Sequence, residues 1–340
     1  MSQAELKLDQ YRQSLTQELQ AVFAQRQGFL YNLLRYHLGW TDQQGGPEEV
    51  PAQAHWRSLL TLAVADGLGK AFQSALPSAA AIELVHSFTL AHADVQAGRT
   101  AASARPSIWW VWGPAQAINA GDGLHALCRV ALLHQRGQNI PAERVLQAVE
   151  ALDRACLALC EGQYLDLSFQ DQLLVTRSQY LDMAHRKSGA LAGCAAELGA
   201  LASATEDPLR PPLREAGAAL GTGVQIRQDI HDLWGKHGDG LTPSNLLNKK
   251  KGLPLVCALE KSTPGVKREL GAIYMKRVLE PADVSRILEI LDAAGGRAEA
   301  LKIADNLVSQ GMDKLSAAGI ADQTLETVRF LVQGAVESPT

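Results

Sequence analysis

The sequence has few of the features that predict β-structure. Alternating runs of Val, Ile and Thr between Asn-Gly or Asp-Gly turns do not occur among its 340 residues. Ala and Leu fill most segments instead, and apolar residues recur at helical spacing between Pro and Gly. These patterns predict an all-α protein.

Cysteine is also scarce, and the chain has no Cys-x-x-Cys pair. The five cysteines are Cys128, Cys156, Cys160, Cys194 and Cys257. All lie in apolar segments that we predict to be helical, so we expect buried, reduced thiols. Cys156 and Cys160 are one helical turn apart, but this spacing alone gives little support for a metal site.

The chain lacks both a large charge excess and a long apolar run. Its net charge of −4 excludes a broad basic surface for nucleic acid or anionic lipid. No apolar run approaches the ~18 residues of a membrane span, and the opening MSQAELKLDQYRQ is unlike a signal peptide. We therefore expect a soluble, cytoplasmic protein with no nucleic-acid partner and no membrane span.

Pro and Gly divide the chain into helices of ordinary length, without a repeat or a low-complexity stretch. The segments predicted to be least structured are 41–52, 98–107 and 236–250. Because the composition is that of an ordinary globular protein, we predict a single domain over residues 1–340.

Two segments carry residues suited to metal or phosphate chemistry. The first is a predicted helix over 79–97 with His86 and Asp94 towards its end, where ordinary capping and solvation explain the spacing better than a metal or phosphate site does. In the second, TGVQIRQDIHDLWG, Gln225, Asp229 and Asp232 share one helical face. Carboxylates on an apolar helix require solvent, a partner or a metal, and Mg²⁺ accepts such sparse ligation. Spacing alone leaves a solvated face and a metal site both open.

Taken together, the motifs of this chain resemble those of the trans-polyprenyl diphosphate synthases. The resemblance rests on the ordered segments ELVHSFTLAHAD, RPSIWWVWGPAQAINAGD, GQYLDL, RKSGAL, VQIRQDIHDLWG and PSNLLNKKKGLPL. It implies the isoprenoid-synthase fold, a bundle of antiparallel helices around a central cavity. In that family two Asp-rich helix ends hold three Mg²⁺ against an allylic diphosphate, and isopentenyl diphosphate attacks the carbocation that forms.

The first Asp-rich motif of the family is largely erased in this chain. Its DDxxD pattern falls on residues 93–97, and only Asp94 of its three carboxylates remains. The diphosphate-clamping RRG falls on 102–104, which read Ala-Ser-Ala, with Arg99 and Arg105 nearby as candidate substitutes.

The second Asp-rich motif is better kept. The QxxDDxxD pattern falls on Gln225, Gln228, Asp229 and Asp232, and the neutral amide of Gln228 is a poorer Mg²⁺ ligand than a carboxylate. The resemblance therefore implies Asp94, Asp229 and Asp232 as metal ligands and a weak or absent Mg²⁺ site.

The isopentenyl diphosphate site of the family is also altered. Its GKxxRP pattern falls on residues 53–58, where Ala54 replaces the lysine and Arg57 is kept. His86 matches the histidine that accompanies this arginine.

Other positions match the family more closely. The resemblance implies catalytic roles for Asp94, Lys187, Gln225 and Asp229, and substrate-binding roles for Arg57, His86, Phe88, Gln163, Lys187, Lys250 and Trp109. Phe88 lies five residues before the first motif, where a bulky residue limits the prenyl chain to about farnesyl size. Trp109 is either an aromatic wall beside a carbocation or a packing residue.

These observations lead to three hypotheses about function. We place first a noncanonical prenyltransferase or terpene cyclase that acts on a short allylic prenyl diphosphate, because a cyclase needs no second diphosphate. The alternatives are a non-catalytic or regulatory subunit of a polyprenyl diphosphate synthase and a chain-elongating synthase. The resemblance also implies a homodimer, or a heterodimer with a related synthase.

Overall fold

The computed structural model describes residues 2–48, 55–102, 105–138, 140–172, 174–203, 207–235, 246, 248–276 and 279–337. Within these ranges the chain is almost wholly helical, which confirms the all-α prediction. The α-helices are α1 (Gln3–Phe23), α2 (Phe29–His37), α3 (Trp56–Gly67), α4 (Leu76–Ala97), α5 (Ile108–Trp112), α6 (Pro114–Leu133), α7 (Ala142–Ser168), α8 (Arg177–Ala184), α9 (Ala190–Ala202), α10 (Arg210–Trp234), α11 (Leu253–Lys261), α12 (Pro264–Met275), α13 (Pro281–Ala293), α14 (Gly296–Ala317) and α15 (Asp322–Glu337).

Several helices begin at residues that the sequence marks as starts. Ser2 accepts a hydrogen bond from the backbone N–H of Glu5 at α1, and Thr176 accepts one from Gln179 at α8. Each such cap stabilises its helix by about 1 kcal/mol, because it satisfies a backbone donor that the helix leaves unpaired. Pro occupies the first turn of α4, α6, α11, α12 and α13.

A short antiparallel hairpin is formed by β1 (Ala101–Ala102) and β2 (Arg105–Pro106), inside a segment predicted to be among the least structured. Contacts with distant residues order it. The Arg105 guanidinium donates to the carbonyl oxygens of Tyr36 and Thr41 at 3.1 and 2.7 Å, and the Tyr36 hydroxyl donates to a carbonyl of β2 at 2.6 Å. Arg105 therefore fixes a loop, which is a different role from the diphosphate clamp proposed for it.

The chain divides into two compact units. Unit 1 comprises Met1–Arg154, Cys194–Arg214 and Leu315–Thr340, and unit 2 comprises Ala155–Gly193 and Glu215–Lys314. The single domain over residues 1–340 stays a prediction.

Unit 1 is built on α3, whose residues are almost all buried, and on α4, which is buried over more than half of its length. Small residues let the helices approach closely. A Cβ added at Gly67 of α3 would lie 2.8 Å from a methyl carbon of Ile320, and one added at Gly199 would lie 2.5 Å from the carbonyl oxygen of Thr61. Such close packing buries apolar surface at about 25 cal/mol per Å², the main favourable contribution to folding.

Unit 2 contains a core around Tyr180, Met183, Ile226 and Leu253, with a second apolar cluster on α11, α12 and α13. Between α8 and α9 the helical run that the sequence predicts over 175–202 contains one wider π-helical turn, His185–Gly189. This turn carries Lys187 and Ser188.

Four cysteines are buried with free thiols, as predicted, namely Cys128, Cys156, Cys194 and Cys257. Cys160 is exposed, because its position falls on the outer face of α7. In the described ranges no helix has both the length and the apolar character that crossing a membrane requires.

Candidate active site

Unit 1 holds a buried cluster of charged and polar side chains, formed by His55, Arg57, Glu83 and His86. Arg57 lies in the first turn of α3, and Glu83 and His86 are one turn apart on α4. The Glu83 carboxylate is engaged at both oxygens, since His55 Nδ1 lies 3.0 Å from Oε1 and the Ser58 hydroxyl donates to Oε2 at 2.7 Å.

The charge states in this cluster follow from burial and pairing. Burial alone would raise the pKa of Glu83, but the attraction of His55 and the Ser58 hydrogen bond outweigh it and lower the pKa to about 2. Burial would lower the pKa of His55, yet Glu83 raises it overall. Burial and the nearby Arg57 lower the pKa of His86 to about 3, so this imidazole is neutral near pH 7.

The buried guanidinium of Arg57 has unused hydrogen-bonding capacity. Its side chain is only 7% exposed, and its Nε has no hydrogen-bond partner within the described ranges. The guanidinium lies over the Trp56 ring at 4.7 Å from the centroid. Burial lowers the pKa of Arg57 to about 10 despite the attraction of Glu83, so the folded protein holds this charge at a cost.

Asp94, the carboxylate left in the first motif, is buried near the end of α4 and paired with Arg99. The Arg99 Nε lies 3.3 Å from Asp94 Oδ1. Burial raises the pKa of Asp94 to about 6, and the Arg99 charge offsets only part of this increase. The Trp109 indole donates to the Arg99 carbonyl oxygen at 2.6 Å, which supports a packing role for Trp109.

Phe88 is buried in unit 1 between two histidine rings. Its ring centroid lies 4.8 Å from that of His125 and 5.8 Å from that of His92. The His92 ring packs directly against Gly121 and requires glycine there, because a Cβ at Gly121 would lie 2.2 Å from His92 Nε2. The role of Phe88 in limiting the length of the prenyl chain stays a prediction.

Replacing Phe88 by Ala is expected to shift the ratio of affinities for farnesyl and geranylgeranyl diphosphate towards the longer tail. The lost ring leaves a cavity, which costs about 3–5 kcal/mol of stability. Phe72→Ala is the matched control, since Phe72 is equally buried in unit 1 against Tyr11. Titration of both diphosphates measures the ratio, and an equal shift in the two variants would contradict a limiting role for Phe88.

Unit 2 holds a second cluster, in which two lysines meet one buried carboxylate. Lys187 Nζ donates to Asp166 Oδ2 at 2.6 Å, and Lys250 Nζ lies 3.4 Å from the same oxygen. Burial alone would raise the pKa of Asp166, but the two ammonium groups lower it to about 2. We call these three residues the two-lysine cluster. Gln163, one turn before Asp166 on α7, is partly buried.

Close helix crossings position Lys187 in this cluster. A Cβ at Gly162 of α7 would lie 2.3 Å from the Lys187 backbone nitrogen, so α7 and the π-helical turn touch backbone to backbone. A Cβ at Gly221 would lie 2.8 Å from the Ser188 carbonyl oxygen. Single π-helical turns of this kind are rare and occur frequently at functional sites.

A chain of hydrogen bonds joins the residues of the second motif. Ser188 Oγ donates to Gln225 Oε1 at 2.5 Å, and Gln225 Nε2 donates to Asp229 Oδ1 at 2.9 Å. The Tyr180 hydroxyl donates to Asp229 Oδ2 at 2.5 Å. Burial raises the pKa of Asp229, although these hydrogen bonds act in the opposite direction.

The carboxylates fit three Mg²⁺ poorly. In the described part of the chain, no three His, Cys, Asp or Glu side chains are grouped so as to hold a metal ion. Asp94 is paired with Arg99, and both oxygens of Asp229 accept hydrogen bonds. Asp232 lies one turn further along α10 and is partly exposed. Metal ligation by these three carboxylates stays a prediction.

The structure thus brings Arg57 together with His86 in unit 1. The other predicted site residues of unit 2 are Gln163, Lys187, Gln225, Asp229, Asp232 and Lys250. Sequence reasoning missed several of the partners that control these groups, namely His55, Glu83, Tyr180 and Ser188, and it included Asp166 only as part of the segment GQYLDL. Helical spacing signals some of them, since Glu83 precedes His86 by three and Tyr180 precedes Lys187 by seven. Ala54 and residues 103–104 lie outside the described ranges.

A sequence profile described as Polyprenyl synthetase matches residues 52–291, which is well over half of the chain. The chain belongs to the polyprenyl synthetase family. It is 35% identical over 289 residues to the geranylgeranyl diphosphate synthase of Mycobacterium tuberculosis, covering 84% of this chain and 81% of that protein. It is 29% identical over 310 residues to the (2E,6E)-farnesyl diphosphate synthase of Mycobacterium bovis, covering 90% and 85%.

The fold agrees with solved structures of polyprenyl synthetases. A polyprenyl synthetase from Streptomyces coelicolor A3(2) superposes with a TM-score of 0.88 at 28% identity, covering 98% of this chain and 99% of that one. This similarity confirms the resemblance to the trans-polyprenyl diphosphate synthases and the all-α isoprenoid-synthase fold.

Proposed function

We propose that this polyprenyl synthetase elongates prenyl chains by joining an allylic diphosphate to isopentenyl diphosphate. The observation that carries the proposal is the buried Arg57 guanidinium, whose Nε has no hydrogen-bond partner in the described ranges. A buried guanidinium with an unused N–H donor is costly unless a further acceptor, such as a diphosphate oxygen, completes its hydrogen bonds. A cyclase handles one diphosphate and has no use for a second cationic site of this kind.

This proposal reverses the order of the hypotheses drawn from sequence. The erased lysine and arginines favour a cyclase, because they weaken the site for a second diphosphate. Arg57 and the neutral imidazole of His86 nevertheless remain together beside Glu83, and that carboxylate raises the pKa of the neighbouring His55. The names of the relatives, geranylgeranyl and farnesyl diphosphate synthase, also support elongation.

The residues of each unit suit one of the two substrates. We assign isopentenyl diphosphate to Arg57 and His86, and the allylic diphosphate to Lys187 and Lys250. During elongation the allylic C–O bond breaks and its electron pair leaves with the diphosphate, so the ammonium groups stabilise negative charge that builds up on the leaving group. The double bond of isopentenyl diphosphate then attacks the allylic carbocation, and the resulting cationic adduct loses a proton to the released pyrophosphate to form the double bond of the product.

The test is a product analysis with geranyl, farnesyl and geranylgeranyl diphosphates, each with and without isopentenyl diphosphate and Mg²⁺. We expect longer prenyl diphosphates only when isopentenyl diphosphate is present. Hydrocarbons or alcohols formed in its absence would instead identify a cyclase. Activity that appears only after addition of a related synthase would identify a subunit of a heterodimer.

A further inference from the structure

We propose that the two-lysine cluster captures the allylic diphosphate without a metal ion, with Asp166 as a built-in counter-ion that the ligand displaces. The inference rests on the proposed function for the identity of the ligand. It concerns how that ligand is held, and it departs from the metal-centred binding that the resemblance implies.

The first support is the geometry of the cluster. Both ammonium groups lie within 3.4 Å of a single carboxylate oxygen, although they come from the π-helical turn and from the segment before α11. Asp166 is almost fully buried, whereas the lysine side chains are 21% and 22% exposed, so they remain accessible to an incoming anion.

The second support is the small negative charge of the neighbouring second motif. An Asp-rich helix repels a diphosphate until a divalent cation neutralises it, as Coulomb's law requires for like charges. In this chain Gln228 is a neutral amide, and Asp229 is held by Tyr180 and Gln225 through both oxygens. The repulsion that makes a metal necessary is therefore reduced here.

The third support is that the lysines are already in place. A lysine acts on phosphate as a compact point charge, and its hydrogen bonds to an anion are stronger than those between neutral groups. The backbone contact at Gly162 and the pairing with Asp166 hold Lys187 in position before the ligand arrives. Binding then replaces one set of oxygens by another and orders little of the chain.

The experiment is a calorimetric titration of the full chain with farnesyl diphosphate, in EDTA and in Mg²⁺. We expect measurable binding in EDTA, with a Kd within about threefold of the value in Mg²⁺. Lys187→Ala and Lys250→Ala should each weaken metal-free binding by about tenfold or more. Lys261→Ala is the matched control, because Lys261 is exposed and pairs with Glu299 at 3.1 Å.

Two further variants test the role of charge in opposite directions. Asp166→Asn removes the competing counter-ion and is expected to tighten metal-free binding several-fold. If Asp166 instead ligated a metal ion, the same replacement would weaken diphosphate binding. Gln228→Asp restores a carboxylate next to Asp229, so it should weaken binding in EDTA and make it respond to Mg²⁺.

The outcomes separate this inference from the proposed function. Tight binding in Mg²⁺ with none in EDTA would overturn the inference even in an enzyme that elongates chains. Metal-free binding that survives the Lys187→Ala, Lys250→Ala double variant would overturn it as well. Metal-free binding lost in that variant supports the inference even when product analysis shows no elongation, a result that would reject only the proposed function.

Discussion

Replacing Arg57 by Leu is expected to stabilise the protein while lowering kcat/KM for isopentenyl diphosphate at least tenfold. Burial of the Arg57 guanidinium carries a desolvation cost, and Glu83 keeps His55 and Ser58 as partners when Arg57 is replaced. The exchange therefore relieves that cost without leaving the carboxylate unpaired. Loss of a charged hydrogen bond to the substrate costs about 1.5–3 kcal/mol of binding. Urea unfolding measures the first effect, and steady-state kinetics with varied isopentenyl diphosphate measure the second.

Arg35→Leu provides the matched control in the same unit. Arg35 donates to the backbone carbonyl oxygens of Arg26 and Phe23 at 2.6 and 3.3 Å, so its guanidinium has partners within the protein. We expect this variant to lose stability and to keep its kinetic constants. If Arg57→Leu instead lost stability with an unchanged KM, Arg57 would be a structural residue and the argument for a second diphosphate would fail.

Replacing Gly162 by Ala is expected to lower the free energy of unfolding by about 3 kcal/mol, at the upper end of the usual cost of overpacking. The new Cβ would meet the backbone nitrogen and Cα of Lys187 at 2.3 and 2.7 Å, and backbone atoms cannot move aside as a flexible side chain does. The π-helical turn must then shift away from α7, which takes Lys187 out of reach of Asp166. Metal-free affinity for farnesyl diphosphate should fall together with stability.

Gly271→Ala is the control for the intrinsic effect of this substitution. Gly271 lies inside α12, and a Cβ there would have no neighbour within 4 Å. Ala is favoured over Gly in a helix by about 0.5–1 kcal/mol, so this variant should be more stable than the parent. Equal changes in urea midpoint for the two variants would show that the crossing at Gly162 tolerates a side chain.

The sequence predicts helices well in this protein, because Pro, Gly and capping residues mark where they begin and end. It also identifies Lys187 and Lys250 through their motifs. It misses the π-helical turn, since apolar spacing predicts one continuous helix over 175–202. A π-helical turn contains only one residue more than an α-helical turn, which is too small a change for the spacing to reveal. It also misses the hairpin at 101–106, whose order depends on Tyr36 and Thr41, far away in the chain.

The sequence also fails to reveal the electrostatic partners of the site residues, and this matters more for function than the missed turn and hairpin. Motif comparison shows that Ala54 and Gln228 have replaced charged residues, and the count of losses favours a protein without elongation activity. It cannot show that Arg57 is left without a hydrogen bond at Nε or that Asp166 pairs with both Lys187 and Lys250. These facts depend on burial and on distances between side chains, and they change the functional interpretation more than the losses do.

The position of Asp166 has a consequence for the rate at which diphosphate leaves. Because this carboxylate is tethered beside both lysines, it is always present at high effective concentration and competes with the bound diphosphate for the same ammonium groups. A departing pyrophosphate therefore does not leave two bare cations behind, and the lysines return to Asp166 without first recovering a full shell of water. The counter-ion lowers affinity, but it also lowers the barrier to release. Asp166→Asn should accordingly retain pyrophosphate longer, and turnover should become limited by product release.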